Sequence, residues 1–172
     1  MITVILTGPK HSGKTSAGRA LASLCSCEFI DLDDLILQRT GKSPRQLYSE
    51  GPAIFQKAEA RATAAILGAD GGEGRRVIAA GGGIIDNEEA ATALKKAGTK
   101  VVYLDISAEC AWDRIAKSGE LPPFLRTENP REIHRVLHER RTAAYLRIAD
   151  IVIEAGVKTP QEIAEEILSQ LN

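Results

Sequence analysis

Gly8-Pro9-Lys10-His11-Ser12-Gly13-Lys14-Thr15 follows the apolar run Ile2-Thr3-Val4-Ile5-Leu6 and precedes a segment of helical character, Ser16-Ala17-Gly18-Arg19-Ala20-Leu21-Ala22-Ser23-Leu24. The spacing is G-x-x-x-x-G-K-[ST], in the strand-before, helix-after context that a phosphate-binding loop requires. A loop bent around glycines turns successive backbone N–H groups inward, and the helix behind it presents its positive end to an anion. Lys14 is expected to reach the outer phosphates of a nucleoside triphosphate, and Thr15 to offer its hydroxyl to Mg²⁺.

The rest of the chain bounds what such a loop can serve. At 172 residues it is long enough for one domain with a substantial core. Its 22 basic and 23 acidic residues leave no electrostatic footprint for nucleic acid or an anionic membrane, so the expected partner is a small molecule. No basic region leads into a long apolar stretch, and no run approaches the roughly 18 apolar residues of a membrane span. A cytoplasmic protein is expected. Cys25, Cys27 and Cys110 are odd in number and lack zinc-ligand spacing with the histidines, and they read as buried or free thiols.

Apolar runs at Ile2 to Thr7, Glu28 to Asp31, Val77 to Ala80, Lys100 to Asp105 and Ile151 to Ile153 are continuous rather than alternating, with helical patterns between them. That alternation predicts a three-layered α/β domain whose parallel sheet is buried on both faces. Helices are expected over Asp31 to Gln38, closed by Gly41, then Pro44 to Ser49, Ala53 to Leu67, Asn87 to Ala97, Ser107 to Lys117, Pro130 to about Arg147 and Thr159 to Leu171. Gly68 to Gly74 reads as a mobile surface loop, and Ser118 to Asn129, broken by Pro122-Pro123, as a lid.

Several residues sit where chemistry is expected. Glu59 falls inside the apolar stripe of Phe55, Ala58, Ala62 and Ile66, where an acid wants a cationic partner. Arg141 falls inside the stripe of Ile133, Leu137, Ala144 and Ile148, and an inward guanidinium needs an anion, from either Glu59 or a bound substrate. His134 and His138, four apart, read as a solvated face rather than a metal site, because no third ligand is in view. Gly81-Gly82-Gly83 ends a strand, at the edge where open α/β sheets bind ligands. Asp31-Leu32-Asp33-Asp34 ends another. Asp31 is the best candidate to hold Mg²⁺ through water, while a helix N-cap accounts for one of these aspartates but less easily for three.

The order of these features resembles the shikimate kinase family, within the nucleoside-monophosphate-kinase-like P-loop proteins, along nearly the whole chain. The matching pieces are Gly8 to Thr15, Phe29-Ile30-Asp31-Leu32-Asp33 with Leu35-Ile36, Leu47-Tyr48 ahead of Gly51, Phe55 with Glu59, Gly81 to Gly83, Pro123-Phe124-Leu125, and Arg141 four before Tyr145 with Ala149-Asp150 after it. The resemblance implies a five-stranded parallel sheet in order 2-3-1-4-5 and a monomeric enzyme that moves the γ-phosphate of ATP to the 3-hydroxyl of shikimate. It implies that Gly8, Pro9, Lys10, His11, Ser12, Gly13, Lys14, Thr15 and Ser16 hold the nucleotide, with Arg114 and Pro160 on either face of the adenine. Lys14 and Asp33 would be catalytic, Thr15 and Asp31 would serve Mg²⁺, and Asp33, Gln56, Gly81, Gly82, Gly83 and Arg141 would bind the acceptor.

The chain departs from the family pattern at three positions. Gln56 stands where an arginine usually grips the substrate carboxylate, Pro122 where a lid arginine is expected, and His11 where the loop usually has another glycine. Arg126 is the nearest lid cation to Pro122. These departures define two alternatives: a kinase of the same fold for another small hydroxylated acceptor, or a catalytically weak nucleotide-binding protein.

Overall fold

Thr3–Thr7 (β1) carries alternate residues to opposite faces of a sheet, and both faces are apolar. In the computed structural model, which describes residues 3–68, 75–96, 98–119 and 121–171, Val4 and Leu6 enter one buried cluster and Ile5 the other. The remaining strands are Glu28–Asp31 (β2), Arg76–Ala79 (β3), Thr99–Asp105 (β4) and Ile151–Glu154 (β5). All pair in parallel in the order β2-β3-β1-β4-β5, which is the expected order.

Eight helices flank the strands among the described residues: Lys14–Leu24 (α1), Leu32–Thr40 (α2), Pro44–Glu50 (α3), Pro52–Leu67 (α4), Glu88–Leu94 (α5), Ala108–Lys117 (α6), Pro130–Ile148 (α7) and Pro160–Leu171 (α8). Helices α1 and α8 close one face over Leu21, Leu104, Ile153, Ile163 and Ile167. Helices α2, α4 and α5 close the other over Ile36, Ala62, Ile78, Leu94 and Val101. Short-range signals set several of the ends: Ser43 and Gln46 form a capping box for α3, and Gly41 stops α2 in the left-handed region at φ 71°.

One expectation changes. Strand β5 is not buried on both faces, because it is an edge strand: Ile151 and Ile153 are buried, whereas Val152 is 44% exposed. The glycine-rich stretch expected as a mobile loop lies outside the described residues beyond Gly68. The 118–129 connection joins α6 to α7 and contains a 3-10 turn, Pro123–Leu125, pinned by the fully buried Leu125; Glu120 lies outside the described residues.

The consequence for function is positional. Strands β2, β3 and β1 are neighbours, and their register aligns Asp31 with Ala79 and Ala79 with Leu6. The acidic turn, the triple glycine and the phosphate-type loop therefore emerge side by side at one carboxyl edge.

Candidate active site

The loop after β1 is built around two glycines that no other residue can replace without strain. Gly8 has φ 141°, and a Cβ there would lie 2.7 Å from the carbonyl oxygen of Leu104; Gly13 has φ 95° at the start of α1. His11 also sits in the left-handed region, at φ 62°, where β-carbon crowding makes a non-glycine residue uncommon. Its Nε2 is buried without a hydrogen-bond partner, and burial, then Lys10, Lys14 and Arg114, hold its pKa below the usual histidine value. A neutral imidazole therefore stands where the family usually has glycine.

Lys14 folds into this loop, donating to the carbonyls of Gly8 at 3.0 Å and Pro9 at 2.7 Å and leaning on Ser12 Oγ at 3.4 Å. Enclosure pulls its pKa down to about 8, while Asp33 and Asp31 act in the opposite sense. The ammonium is thus held at the loop centre on neutral oxygens, an arrangement that bound phosphate oxygens would improve.

Asp31 performs two tasks. Its Oδ1 caps α2 by accepting from the Asp33 amide at 3.0 Å, and its Oδ2 accepts from the Thr15 hydroxyl at 2.8 Å. The N-cap role and a contact with Thr15, the other candidate for Mg²⁺, thus coincide in one side chain. Asp33, in the first turn of α2, is solvent-accessible in an open cleft, yet the cleft walls and then Asp31 raise its pKa above the usual carboxylate value.

The triple glycine lies directly against these groups. A Cβ on Gly81 would fall 3.2 Å from Glu59 Oε1 and 3.3 Å from Asp33 Oδ1, and one on Gly82 would fall 2.9 Å from the Lys10 amide nitrogen. The hydroxyl of Tyr145 donates to the Gly82 carbonyl at 2.7 Å and approaches the Gly8 carbonyl at 3.2 Å, tying the two loops together. The triple glycine and the phosphate-type loop are in direct packing contact.

Glu59 is 1% exposed and is not paired with Arg141; Asn87, the N-cap of α5, donates to its Oε2 at 3.0 Å, and Oε1 has no partner. Burial raises its pKa to about 7, against the opposing Asn87 hydrogen bond, with Asp33 adding to the rise. A folded pKa above the usual 4.5 means the native state holds the proton more tightly. Stability from this group is complete below pH 4.5 and is lost as pH rises through about 7. Glu59→Gln is therefore expected to match the parent in urea unfolding at pH 4.5 and to exceed it at pH 8, by up to about 3 kcal/mol. Equal differences at both pH values would refute this.

On α7 the expected stripe is rotated. Ile133 is 39% exposed, whereas His134 and His138, expected on a solvated face, are 7% and 8% exposed. The cause is α6: Trp112 packs its ring 5.6 Å from that of His134, which lies 5.7 Å from His138. Burial, then His138 and Arg141, lower the pKa of His134, so its ring packs in the neutral form.

Arg141 meets an anion that the sequence reading missed. Asp86, in the 3-10 turn Ile84–Asp86 after the triple glycine, accepts from Arg141 Nε at 2.9 Å and Nη2 at 2.7 Å, and from Arg140 Nη2 at 2.8 Å. Glu59 instead accepts from Asn87, the residue after Asp86. The signal was local: the run Gly81-Gly82-Gly83-Ile84-Ile85-Asp86-Asn87 puts two polar side chains right after a ligand-type turn.

Of the other predicted residues, Arg114 donates to the carbonyls of His11 and Gly156, both at 2.8 Å, joining the phosphate-type loop to the turn before α8, which Pro160 opens. Lys10 and Ser16 are exposed, and Ser12 is buried. Gln56 keeps its side chain exposed and anchors α4 through its carbonyl, which accepts from Asn87 Nδ2 at 2.8 Å. Pro122 is buried and Arg126 exposed. A cavity of about 30 Å³ between the 118–129 connection and α7 is lined by Lys10, Pro122, Phe124, His138, Arg141 and Tyr145, among others. A larger hollow of about 360 Å³, floored by Trp112 and His134, includes no residue of the phosphate-type loop.

Comparison with known proteins agrees with this fold. A family model described as shikimate kinase matches residues 10–172. The shikimate kinase of Pseudomonas paraeruginosa is 36% identical over 172 residues, covering 99% of this chain and 96% of the relative. Among solved structures, the Acinetobacter baumannii shikimate kinase in complex with shikimate superposes with a TM-score of 0.88 at 30% identity, covering 99% of this chain and 93% of the other. The Aquifex aeolicus shikimate kinase gives 0.82 at 32% identity, covering 99% and 96%.

Proposed function

This chain belongs to the shikimate kinase family, an ATP-dependent phosphotransferase acting on the 3-hydroxyl of shikimate, and we propose how its own residues divide that reaction. The observation that carries the proposal is the packing of the triple glycine on the phosphate-binding loop, with Gly82 against the Lys10 amide and Tyr145 bridging both loops. An acceptor on Gly81 to Gly83 is thereby held next to the outer phosphate of a nucleotide on Gly8 to Thr15.

Phosphoryl transfer asks a protein for alignment and for charge placed where negative charge develops. The loop amides and the α1 N-terminus hold the phosphates, and Lys14 exchanges the Gly8 and Pro9 carbonyls for phosphate oxygens. Asp33 faces the acceptor beside Gly81, where it orients the attacking hydroxyl and takes its proton; the raised pKa makes it a better base than an ordinary aspartate. Arg141 grips the acceptor carboxylate, Gln56 contributes a neutral contact from α4, and Arg114 with Pro160 brackets the base. Closure of the 118–129 connection excludes water that would otherwise hydrolyse ATP.

The oxygen-only pair of Thr15 and Asp31 suits Mg²⁺, which prefers hard donors and keeps several of its waters. Bound there with the nucleotide, the ion would neutralise phosphate charge. No helix among the described residues is long and apolar enough to cross a membrane, and we take the enzyme to act as a cytoplasmic monomer on a small-molecule acceptor.

The test is ADP release from Mg·ATP with and without shikimate. Strong shikimate-dependent release is expected. ATP binding without stimulation by shikimate would overturn the assignment of the acceptor and leave that of the loop standing.

A further inference from the structure

Arg141, the cation that the proposed reaction offers to the acceptor carboxylate, is already bound by a carboxylate of the protein itself. Asp86 Oδ2 accepts from Arg141 Nε and Nη2, and Asp86 Oδ1 accepts from Arg140 Nη2, so two guanidiniums converge on one carboxylate as they would on a bound acid. The cluster is not sealed in the core: the side chains of Arg141, Asp86 and Arg140 are 19%, 25% and 61% exposed. Arg141 lines the cavity under the 118–129 connection, with its guanidinium carbon 5.9 Å from the Phe124 ring centre. Asp86 takes the Nε–Nη2 edge, and no hydrogen bond among the described residues engages Nη1.

Building on the reading of Arg141 as the acceptor's carboxylate site, we propose that Asp86 is a specificity-determining residue: an internal counter-carboxylate that orients Arg141 and weakens its hold on the carboxylate of a hydroxy-acid acceptor. An incoming carboxylate must either displace Asp86 towards Arg140 or bind at Nη1 beside a second negative charge, and both routes cost affinity. The charged groups around the cleft do not reverse this. Lys14 is committed to the phosphate loop, Lys10 lines the same cavity as Arg141 but is itself exposed, Asp33 and Glu59 are acids, and α4 presents Gln56 in place of a cation. Arg140, being exposed, is the residue able to keep Asp86 when Arg141 is claimed.

Asp86→Asn preserves shape and a hydrogen-bond acceptor for Arg141 while removing the charge. It is expected to lower KM for shikimate about fivefold, the worth of one partly exposed ion pair, with kcat within about twofold and KM for ATP unchanged. The methyl ester of shikimate, which lacks the carboxylate charge, should show no such gain. Arg140→Gln, which removes the alternative partner of Asp86, should raise KM for shikimate. An unchanged or higher KM in Asp86→Asn, or a fall in kcat with KM constant, would overturn the proposal and leave Asp86 as a support for Arg141. Absence of shikimate-dependent ADP release from parent and variants alike would instead overturn the acceptor reading on which the proposal rests.

Discussion

Lys14→Met should lower shikimate-dependent ADP release by about a thousandfold or more, the scale on which a phosphate-clamping charge acts, while leaving the chain folded. Methionine keeps an unbranched stem of similar length and removes only the ammonium. The charge is placed where a triphosphate would need it: its partners are the Gly8 and Pro9 carbonyls and Ser12 Oγ, all loop atoms, with no acidic partner in hydrogen-bond contact. That placement is unfavourable for the free protein, as shown by a pKa lowered from 10.5 to about 8. Because the unfolded chain binds this proton more tightly, the parent gains stability as pH rises through 8 to 10.5. Any stability advantage of Lys14→Met at pH 7 should therefore shrink over that window, which urea midpoints at pH 7 and 10 would show. Turnover within tenfold of the parent would contradict the assignment of the loop.

Asp33→Asn should reduce acceptor-dependent turnover about a hundredfold to a thousandfold, the usual contribution of a positioned general base, with ATP affinity within about twofold. Asparagine can still hydrogen-bond the acceptor, but cannot take its proton. The cleft and Asp31 place the Asp33 pKa above 3.8, so kcat/KM for shikimate in the parent should fall on the acid side at a higher pH than an ordinary aspartate would give. The variant should lose that acid limb. ATP affinity measured by titration in the absence of acceptor separates this outcome from damage to the loop, since Asp33 also supplies an amide to the Asp31 cap. A variant with parental turnover would move the base elsewhere.

The legible part of the site was local. Gly8 to Thr15 announced a phosphate loop because the required backbone is specified by glycines and a lysine at fixed spacing. Asp31 and Thr15, sixteen residues apart, were both chosen as metal candidates from their own contexts, and the fold puts them in hydrogen-bond contact. The partner of Arg141 was less accessible. A helix pattern says that a guanidinium points inward, but the identity of the anion depends on which loop crosses that face, and Asp86 is 55 residues away. The histidines of α7 failed for a related reason: Trp112 on α6 packs on His134, whose ring in turn packs on His138, and an imidazole serves equally well as a solvated or a packed ring.

By itself, the amino-acid order determined the α/β class, the phosphate loop and the acidic turn, because these depend on side-chain period and on backbone geometry within a few residues. The resemblance of its motifs to a known family supplied the strand order and the acceptor. Tertiary structure alone decided that Asn87 rather than Arg141 hydrogen-bonds Glu59, that Asp86 occupies Arg141, and that Tyr145 ties the glycine turn to the phosphate loop. Those pairings link segments far apart in the chain, and a buried or half-buried charge takes whichever partner the packing of β3, α4, α5 and α7 brings within about 3 Å.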